Sequence, residues 1–227
     1  MWGLEHAALA YLVILPFFLA RKKKTEPELL ILIFAFANLP DAMHFGEFRF
    51  WLHNSMGLGI ATILVLALFK HLKMIEYKHI PILLIAVMSH IVGDMLFSNF
   101  YLAFPFDDVG IHYFGWMSNE HMKAGIIVIM LFLFSFHASE DSVRLREYAV
   151  RQKKRLLDMK SLKEIWEPDL FVFYLFVLIM IFLVTQALIM TLEVFLVWRL
   201  EILAVAALLM NYAMAMSLFS MFEDRYL

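Results

Sequence analysis

The sequence predicts an all-α, polytopic membrane protein with about seven transmembrane helices. Hydrophobic residues make up 63% of its 227 residues, whereas soluble domains average about 45–50%. Charged residues make up only 18%, and they are clustered between long apolar runs. These runs are continuous rather than alternating, which favours membrane helices over strands. This composition excludes a disordered chain, and a soluble globular domain is not expected.

Seven apolar segments each approach the length of about 20 residues that a helix needs to cross a bilayer. Short polar or charged connections separate them. The segments are roughly residues 4–20, 28–45, 50–69, 79–98, 121–138, 169–192 and 196–219. We therefore expect one integral membrane domain over residues 1–227, in which residues 169–219 form a C-terminal helical hairpin.

The basic residues predict the orientation of these spans. Sixteen of the 19 Lys and Arg residues lie in segments 21–24, 70–78 and 144–163 and at Arg225. A seven-span arrangement puts all of these on the same side of the membrane. Since cytoplasmic loops are enriched in Lys and Arg, we expect the N-terminus outside and the C-terminus in the cytoplasm.

Residues 138–165 are the one stretch with the composition of a soluble segment. They combine eight basic residues with leucines at helical spacing, which predicts a cytoplasmic amphipathic helix at the membrane surface. A solvated connector is an equally open interpretation. In either case the segment offers a surface for a cytoplasmic partner.

Acidic and imidazole side chains are costly inside a membrane span, and they usually mark a functional site. Here they are not scattered, because five spans place them near their predicted outer ends. They are His6 in the first span, Asp41 and His44 in the second, His53 in the third, His90 and Asp94 in the fourth, and Glu120 and His121 at the start of the fifth. This convergence predicts a site at the outer membrane interface.

His90 and Asp94 are the most informative pair in this set. They are four residues apart, so a helix places them on one face, one turn apart. An imidazole nitrogen and a carboxylate oxygen at this spacing can bind one divalent cation together. The alternative is a His–Asp hydrogen bond that only fixes helix packing. The chain contains no cysteine, so we expect one or two Zn²⁺ ions, or another divalent metal, held by nitrogen and oxygen ligands.

Further residues complete the predicted ligand set. The expected metal ligands are His6, Asp41, His53, His90 and Asp94, and the candidates for additional ligands are His44, Glu120, His121 and His112. His112 lies in the aromatic loop 99–120, which we expect to form an interfacial cap over the site.

Catalytic roles can be assigned to residues of the same region. Asp41 or Asp94 can bridge metals or act as a general base. Arg49 and Asn54 can stabilise negative charge on a substrate. Asn54 and Ser55 can also bind substrate or orient a ligand. For these two residues a plain helix start is the competing interpretation.

These residues resemble the membrane-bound metal-dependent hydrolase family that is related to the LexA-binding inner-membrane protein of bacteria. The resemblance covers about residues 1–125, the expected metal-site part. The matching features are His6, Pro40-Asp41, Arg49 with His53 and Ser55, His90 with Asp94, and Pro105-Phe106. The resemblance implies a location in the cytoplasmic membrane of a bacterium or archaeon.

The sequence departs from that family at two positions. Met43 stands where the family often has a second Asp, and Asn54 separates His53 from Ser55, where the family has His-Ser directly. The order His6, Asp41, His53 and His90-x-x-x-Asp94 is also distantly similar to that of the zinc-dependent phospholipase C and P1 nuclease group, whose members hydrolyse phosphoesters.

The site and the resemblances together predict a hydrolase at the outer membrane interface. A bound metal would lower the pKa of a water molecule toward about 7. The expected substrate is a lipid, a lipid-linked compound or another phosphoester. One alternative is a transporter of ions, metals or small molecules, in which intramembrane His and Asp line the path. The other is a structural membrane protein whose metal clamps helices. The net charge of −2 gives no reason to expect a nucleic-acid partner.

Overall fold

The computed structural model describes residues 3–21, 24–43, 51–97, 100–101, 110–111, 118–159, 161, 164, 166–196 and 202–219. These residues form eight α-helices: α1 (Gly3–Ala20), α2 (Pro27–Ala37), α3 (Ser55–His71), α4 (Ile80–Phe97), α5 (Asn119–Ala138), α6 (Asp141–Leu157), α7 (Pro168–Leu196) and α8 (Ile202–Phe219). Two 3-10 turns, Pro40–Met43 and Tyr77–His79, precede the α3 region and α4. The strands β1 (Phe100–Tyr101) and β2 (Gly110–Ile111) pair antiparallel, with Phe100 opposite Ile111.

Helix α1 lies at the centre of the bundle, because it contacts α2, α4, α5, α7 and α8. Its alanines Ala7, Ala8 and Ala10 are fully buried, and such small residues let neighbouring helices approach closely. Helix α2 is the other inner helix. All six residues of 29–34 are buried apolar side chains, as expected for a helix that is enclosed on every side.

Four of the described helices are long and apolar enough to cross a membrane: Gly3–Ala20, Tyr77–Leu96, Asn119–Ala138 and Pro168–Ile189. Shorter apolar helices occupy Pro27–Ala37, Ser55–His71 and Val205–Ala215. Large apolar side chains cover outward faces, for example Ile63 and Phe134, which are 68% and 74% exposed. The predicted all-helical fold with membrane-length helices is therefore confirmed, and each predicted span contains a helix.

Two of the predicted spans have different bounds from those expected. Helix α2 ends at Ala37 instead of continuing to residue 45, because Pro40 has no backbone N–H and its ring clashes with the preceding turn. Helix α3 begins at Ser55 rather than near residue 50, and Asn54 is its N-cap. These two boundaries place Asp41 in the 3-10 turn and His53 in a bend, so that both lie outside the α-helices.

Helix α6 corresponds to the amphipathic helix expected within residues 138–165. Its apolar side bears the buried residues Leu145, Tyr148 and Ala149, and it packs against α2, α5 and α7. The Tyr148 hydroxyl donates to the backbone oxygen of Asp169 over 3.0 Å. Burial raises the pKa of this hydroxyl above its usual range.

Gly57 permits the tight start of helix α3, which gives a first testable prediction. A Cβ at position 57 would lie 1.7 Å from the backbone oxygen of Trp51, whereas a Cβ at Gly59 meets nothing within 4 Å. We expect Gly57→Ala to lower the free energy of unfolding by about 1–3 kcal/mol or more, because the added methyl group overpacks the start of α3. Gly59→Ala should be neutral, or stabilising by up to about 1 kcal/mol. Unfolding in detergent measures both, and equal stabilities would contradict this account of the α3 start.

Candidate metal centre

The structure brings together all five predicted metal ligands. They come from four separate segments: His6 from α1, Asp41 from the 3-10 turn after α2, His53 from just before α3, and His90 with Asp94 from α4. Each of these residues is at most 5% exposed. Five ionisable side chains are thus buried in one place within a largely apolar helical bundle.

Helix α4 presents His90 and Asp94 to the centre of this cluster. The His90 Nε2 atom lies 3.2 Å from Asp94 Oδ2. On the other side of the ring, His90 Nδ1 lies 2.6 Å from the backbone oxygen of Ala37. A carbonyl oxygen only accepts, so Nδ1 is the protonated donor and fixes the ring orientation. This arrangement is typical of histidines that bind a metal through Nε2.

Asp41 and His53 close the cluster from the side of α2 and α3. The His53 Nε2 atom lies 3.3 Å from Asp41 Oδ1 and 3.5 Å from Asp94 Oδ2. Asp41 Oδ1 also lies 3.9 Å from His90 Nε2. Two imidazole nitrogens and the Asp94 carboxylate oxygen therefore lie close together, and the Asp41 carboxylate lies against both imidazoles.

The spacing of His53, His90 and Asp94 is compatible with a small tetrahedral cation, because their ligand atoms all lie within 4.8 Å of one another. Ligand bonds of about 2.0–2.1 Å to Zn²⁺ imply tetrahedron edges of about 3.3–3.4 Å. Asp94 Oδ2 lies 3.2 Å from His90 Nε2 and 3.5 Å from His53 Nε2. Nitrogen and oxygen donors of this kind suit Zn²⁺.

His6 extends the cluster toward α1. Its ring stacks on that of His90, with centroids 3.5 Å apart and planes inclined by 16°, and its Nε2 lies 3.4 Å from Asp94 Oδ1. In the described part of the chain, neither ring nitrogen of His6 has a hydrogen-bond partner. His6, Asp41 and His90 also form a group whose ligand atoms lie within 4.8 Å of one another, as do His53, His90 and Asp94.

The charge of the cluster favours a divalent cation. Two buried carboxylates, Asp41 and Asp94, carry a charge of −2 when the imidazoles beside them are neutral. Clusters of carboxylates and imidazoles inside an apolar bundle are typical of sites that coordinate a metal. One divalent ion would balance the site.

Sequence reasoning missed Glu5, which forms a second buried pair beside the cluster. Its Oε2 lies 3.4 Å from His121 Nε2, and both side chains are about 1% exposed. His121 was expected as an additional ligand, but neither group of potential ligands among the described residues includes it. An acidic residue next to His6 inside an apolar span was the signal that could have identified Glu5.

The other predicted site residues have varied positions. Asn54 caps α3, because its Oδ1 accepts from the Gly57 N–H over 2.7 Å and its Nδ2 donates to Trp51 O over 2.8 Å. This favours the helix-start interpretation for Asn54. Ser55 and Glu120 are exposed first-turn residues of α3 and α5. The predictions for His44, Arg49 and His112 lie outside the described residues.

Comparison with known proteins finds no relative of this chain. No protein-family model matches it, and neither does any curated protein or solved structure. The expected membership of the metal-dependent hydrolase family therefore stays a prediction. The geometry of the His/Asp cluster is therefore the basis for assigning a function to this protein.

Proposed function

We propose that this protein is a membrane-bound metal-dependent hydrolase. The observation that carries the proposal is the buried group of three ligand atoms from His53, His90 and Asp94, with the Asp41 carboxylate beside it. One or two Zn²⁺ ions are the expected cofactor, because the donors are imidazole and carboxylate. The resemblance to hydrolases adds the reaction class.

Each residue has a distinct role in this proposal. His53, His90 and Asp94 are the primary ligands, since catalytic zinc sites have three protein ligands and one open position. A bound zinc supplies Lewis acidity and makes water acidic enough to deprotonate near neutral pH. Asp41, whose Oδ1 lies 3.9 Å from His90 Nε2 and 3.3 Å from His53 Nε2, accepts the proton as general base. His6 provides a further ligand on the Asp94 side.

The proposal also includes the seven-span arrangement with an outer N-terminus and a cytoplasmic C-terminus. In that arrangement the first and fourth spans run in opposite directions. The contact between His6, near the start of α1, and Asp94, near the end of α4, agrees with this. The cluster would then lie near the outer interface of the cell membrane.

A lipid or lipid-linked phosphoester is the proposed substrate class. Helix α3, which follows His53 directly, exposes a broad apolar face that includes Met56, Ile60 and Ile63. A substrate with an apolar tail can lie along this face while its polar group reaches the cluster. A water-soluble ester would gain nothing from it.

Hydrolysis assays test the proposed activity. Protein stripped of metal and reloaded with Zn²⁺ should hydrolyse phospholipid in mixed micelles or a chromogenic phosphoester, whereas the stripped protein should not. His90→Ala should lose the activity by at least about 100-fold. His137→Ala is the matched control, because His137 is an exposed histidine at the far end of α5. A zinc-loaded protein that leaves a broad ester panel intact would contradict the proposal.

A structural metal clamp is the second candidate, and one observation favours it. All five ligands are at most 5% exposed, and a shell closed by four protein ligands has no place for water. Bound Co²⁺ separates the candidates, since its spectrum should respond to added phosphate or fluoride only if an open position exists.

A further inference from the structure

Three polar contacts hold the outer end of α1, each to a different helix. The Gly3 N–H donates to Gln186 Oε1 of α7 over 2.8 Å. Glu5 Oε2 lies 3.4 Å from His121 Nε2 of α5, and His6 Nε2 lies 3.4 Å from Asp94 Oδ1 of α4. Glu5 and His6 are adjacent, so they leave α1 about 100° apart and reach two different neighbours.

The Glu5 carboxylate fits tightly against α5. A Cβ at Gly125 would lie 2.2 Å from Glu5 Oε1 and 3.1 Å from its Cδ. Gly125 and His121 are four residues apart, so they share one face of α5. His121 and Gly125 line a socket on α5, and the Glu5 carboxylate fills it. Both His121 and Glu5 are buried.

We propose that Glu5 is a positioning residue for the metal centre. This inference rests on the proposed function, because it concerns the same cluster. The socket fixes the rotation of α1 about its axis, and that rotation decides whether His6 faces Asp94 and His90. Glu5 is not a member of either group of potential ligands among the described residues, so it acts through His6.

A methyl group in the socket should displace the Glu5 carboxylate from its place against His121, and α1 would then lose the contact that sets its rotation and orients His6. Gly125→Ala adds a methyl group where the Glu5 carboxylate lies. We expect the affinity for Zn²⁺ to fall by about 10–100-fold, as it does when groups that orient metal ligands are changed. The ligand-field spectrum of bound Co²⁺ should change as well. Gly59→Ala is the matched control, because a methyl group there meets nothing.

A size-swap variant separates positioning from general stability. Glu5→Asp shortens the side chain by one methylene and makes room for the added methyl, so Glu5→Asp/Gly125→Ala should recover most of the lost affinity. Such recovery is a coupling between two contacting residues. Glu5→Ala empties the socket without a clash and should also weaken Zn²⁺ binding, so it serves if Gly125→Ala does not fold.

Competition with a chromophoric chelator gives the zinc affinities, and unfolding of the metal-free proteins gives their stabilities. Wild-type affinity and an unchanged Co²⁺ spectrum in both Gly125→Ala and Glu5→Ala would overturn the inference. So would a loss of affinity that follows the metal-free stability and is not rescued by Glu5→Asp. If the wild type itself holds no metal, the proposed function fails instead, and the two failures are distinguishable.

Discussion

Replacement of Asp94 by asparagine is expected to lower the affinity for Zn²⁺ by more than about 100-fold. Changing a group that only hydrogen-bonds to a metal ligand lowers the affinity by about 10–100-fold, and Asp94 is proposed to be a ligand itself. Asp94 contacts all three histidines of the cluster. Its Oδ1 lies 3.4 Å from His6 Nε2, and its Oδ2 lies 3.5 Å from His53 Nε2 and 3.2 Å from His90 Nε2. The amide has the same shape but no charge and is a weaker donor to a metal, so it weakens the ligand with little change in packing.

Zinc competition measurements on purified protein check this expectation. Asp158→Asn is the matched control, because Asp158 is an exposed aspartate at the end of α6. It should bind Zn²⁺ as the wild type does. An Asp94→Asn protein that is folded and keeps wild-type zinc affinity would show that Asp94 is not a ligand.

Replacement of Arg144 by methionine is expected to cost about 1–3 kcal/mol of folding stability or more, because a buried charged acceptor loses a hydrogen-bond donor. Arg144 donates to the carboxylate of Asp141, which is 1% exposed. It also donates to the backbone oxygens of Thr25 and Ser139, each over 3.0 Å. Without Arg144, the side-chain donors that remain to the buried Asp141 carboxylate among the described residues are the hydroxyls of Tyr11 and Ser139.

Chemical unfolding in detergent measures this cost. Arg146→Met is the matched control, because Arg146 is exposed on the same helix, and it should change stability by less than about 0.5 kcal/mol. Asp141→Asn/Arg144→Met removes both charges and should recover part of the loss. Equal stability of the Arg144 and Arg146 variants would contradict a structural role for the ion pair.

The helices of this chain could be predicted from the sequence because their apolar runs are long and continuous. Helix bounds were less predictable where a local signal competes with hydropathy. Residues 38–45 are apolar enough to prolong α2, but Pro40 ends the helical hydrogen bonds there. Asn54 likewise starts α3 later than hydropathy suggests, because its side chain satisfies the N–H of Gly57.

The residues of the His/Asp cluster could be predicted because ionisable residues are scarce in apolar spans. That scarcity, and a common predicted depth in the membrane, distinguish the five residues His6, Asp41, His53, His90 and Asp94. The Glu5 socket was not predictable in the same way. Which neighbour a side chain meets depends on the rotation of α1 against α5, and the close approach at Gly125 appears only once the two helices are packed.

The zinc content of the purified protein tests whether the His/Asp cluster binds a metal. Wild-type protein, incubated with Zn²⁺ and freed of excess metal, should retain at least one zinc per chain by elemental analysis. X-ray absorption should show only nitrogen and oxygen ligands at about 2.0–2.2 Å. A folded protein that retains no zinc and no other divalent metal would contradict the assignment of the His/Asp cluster as a metal centre.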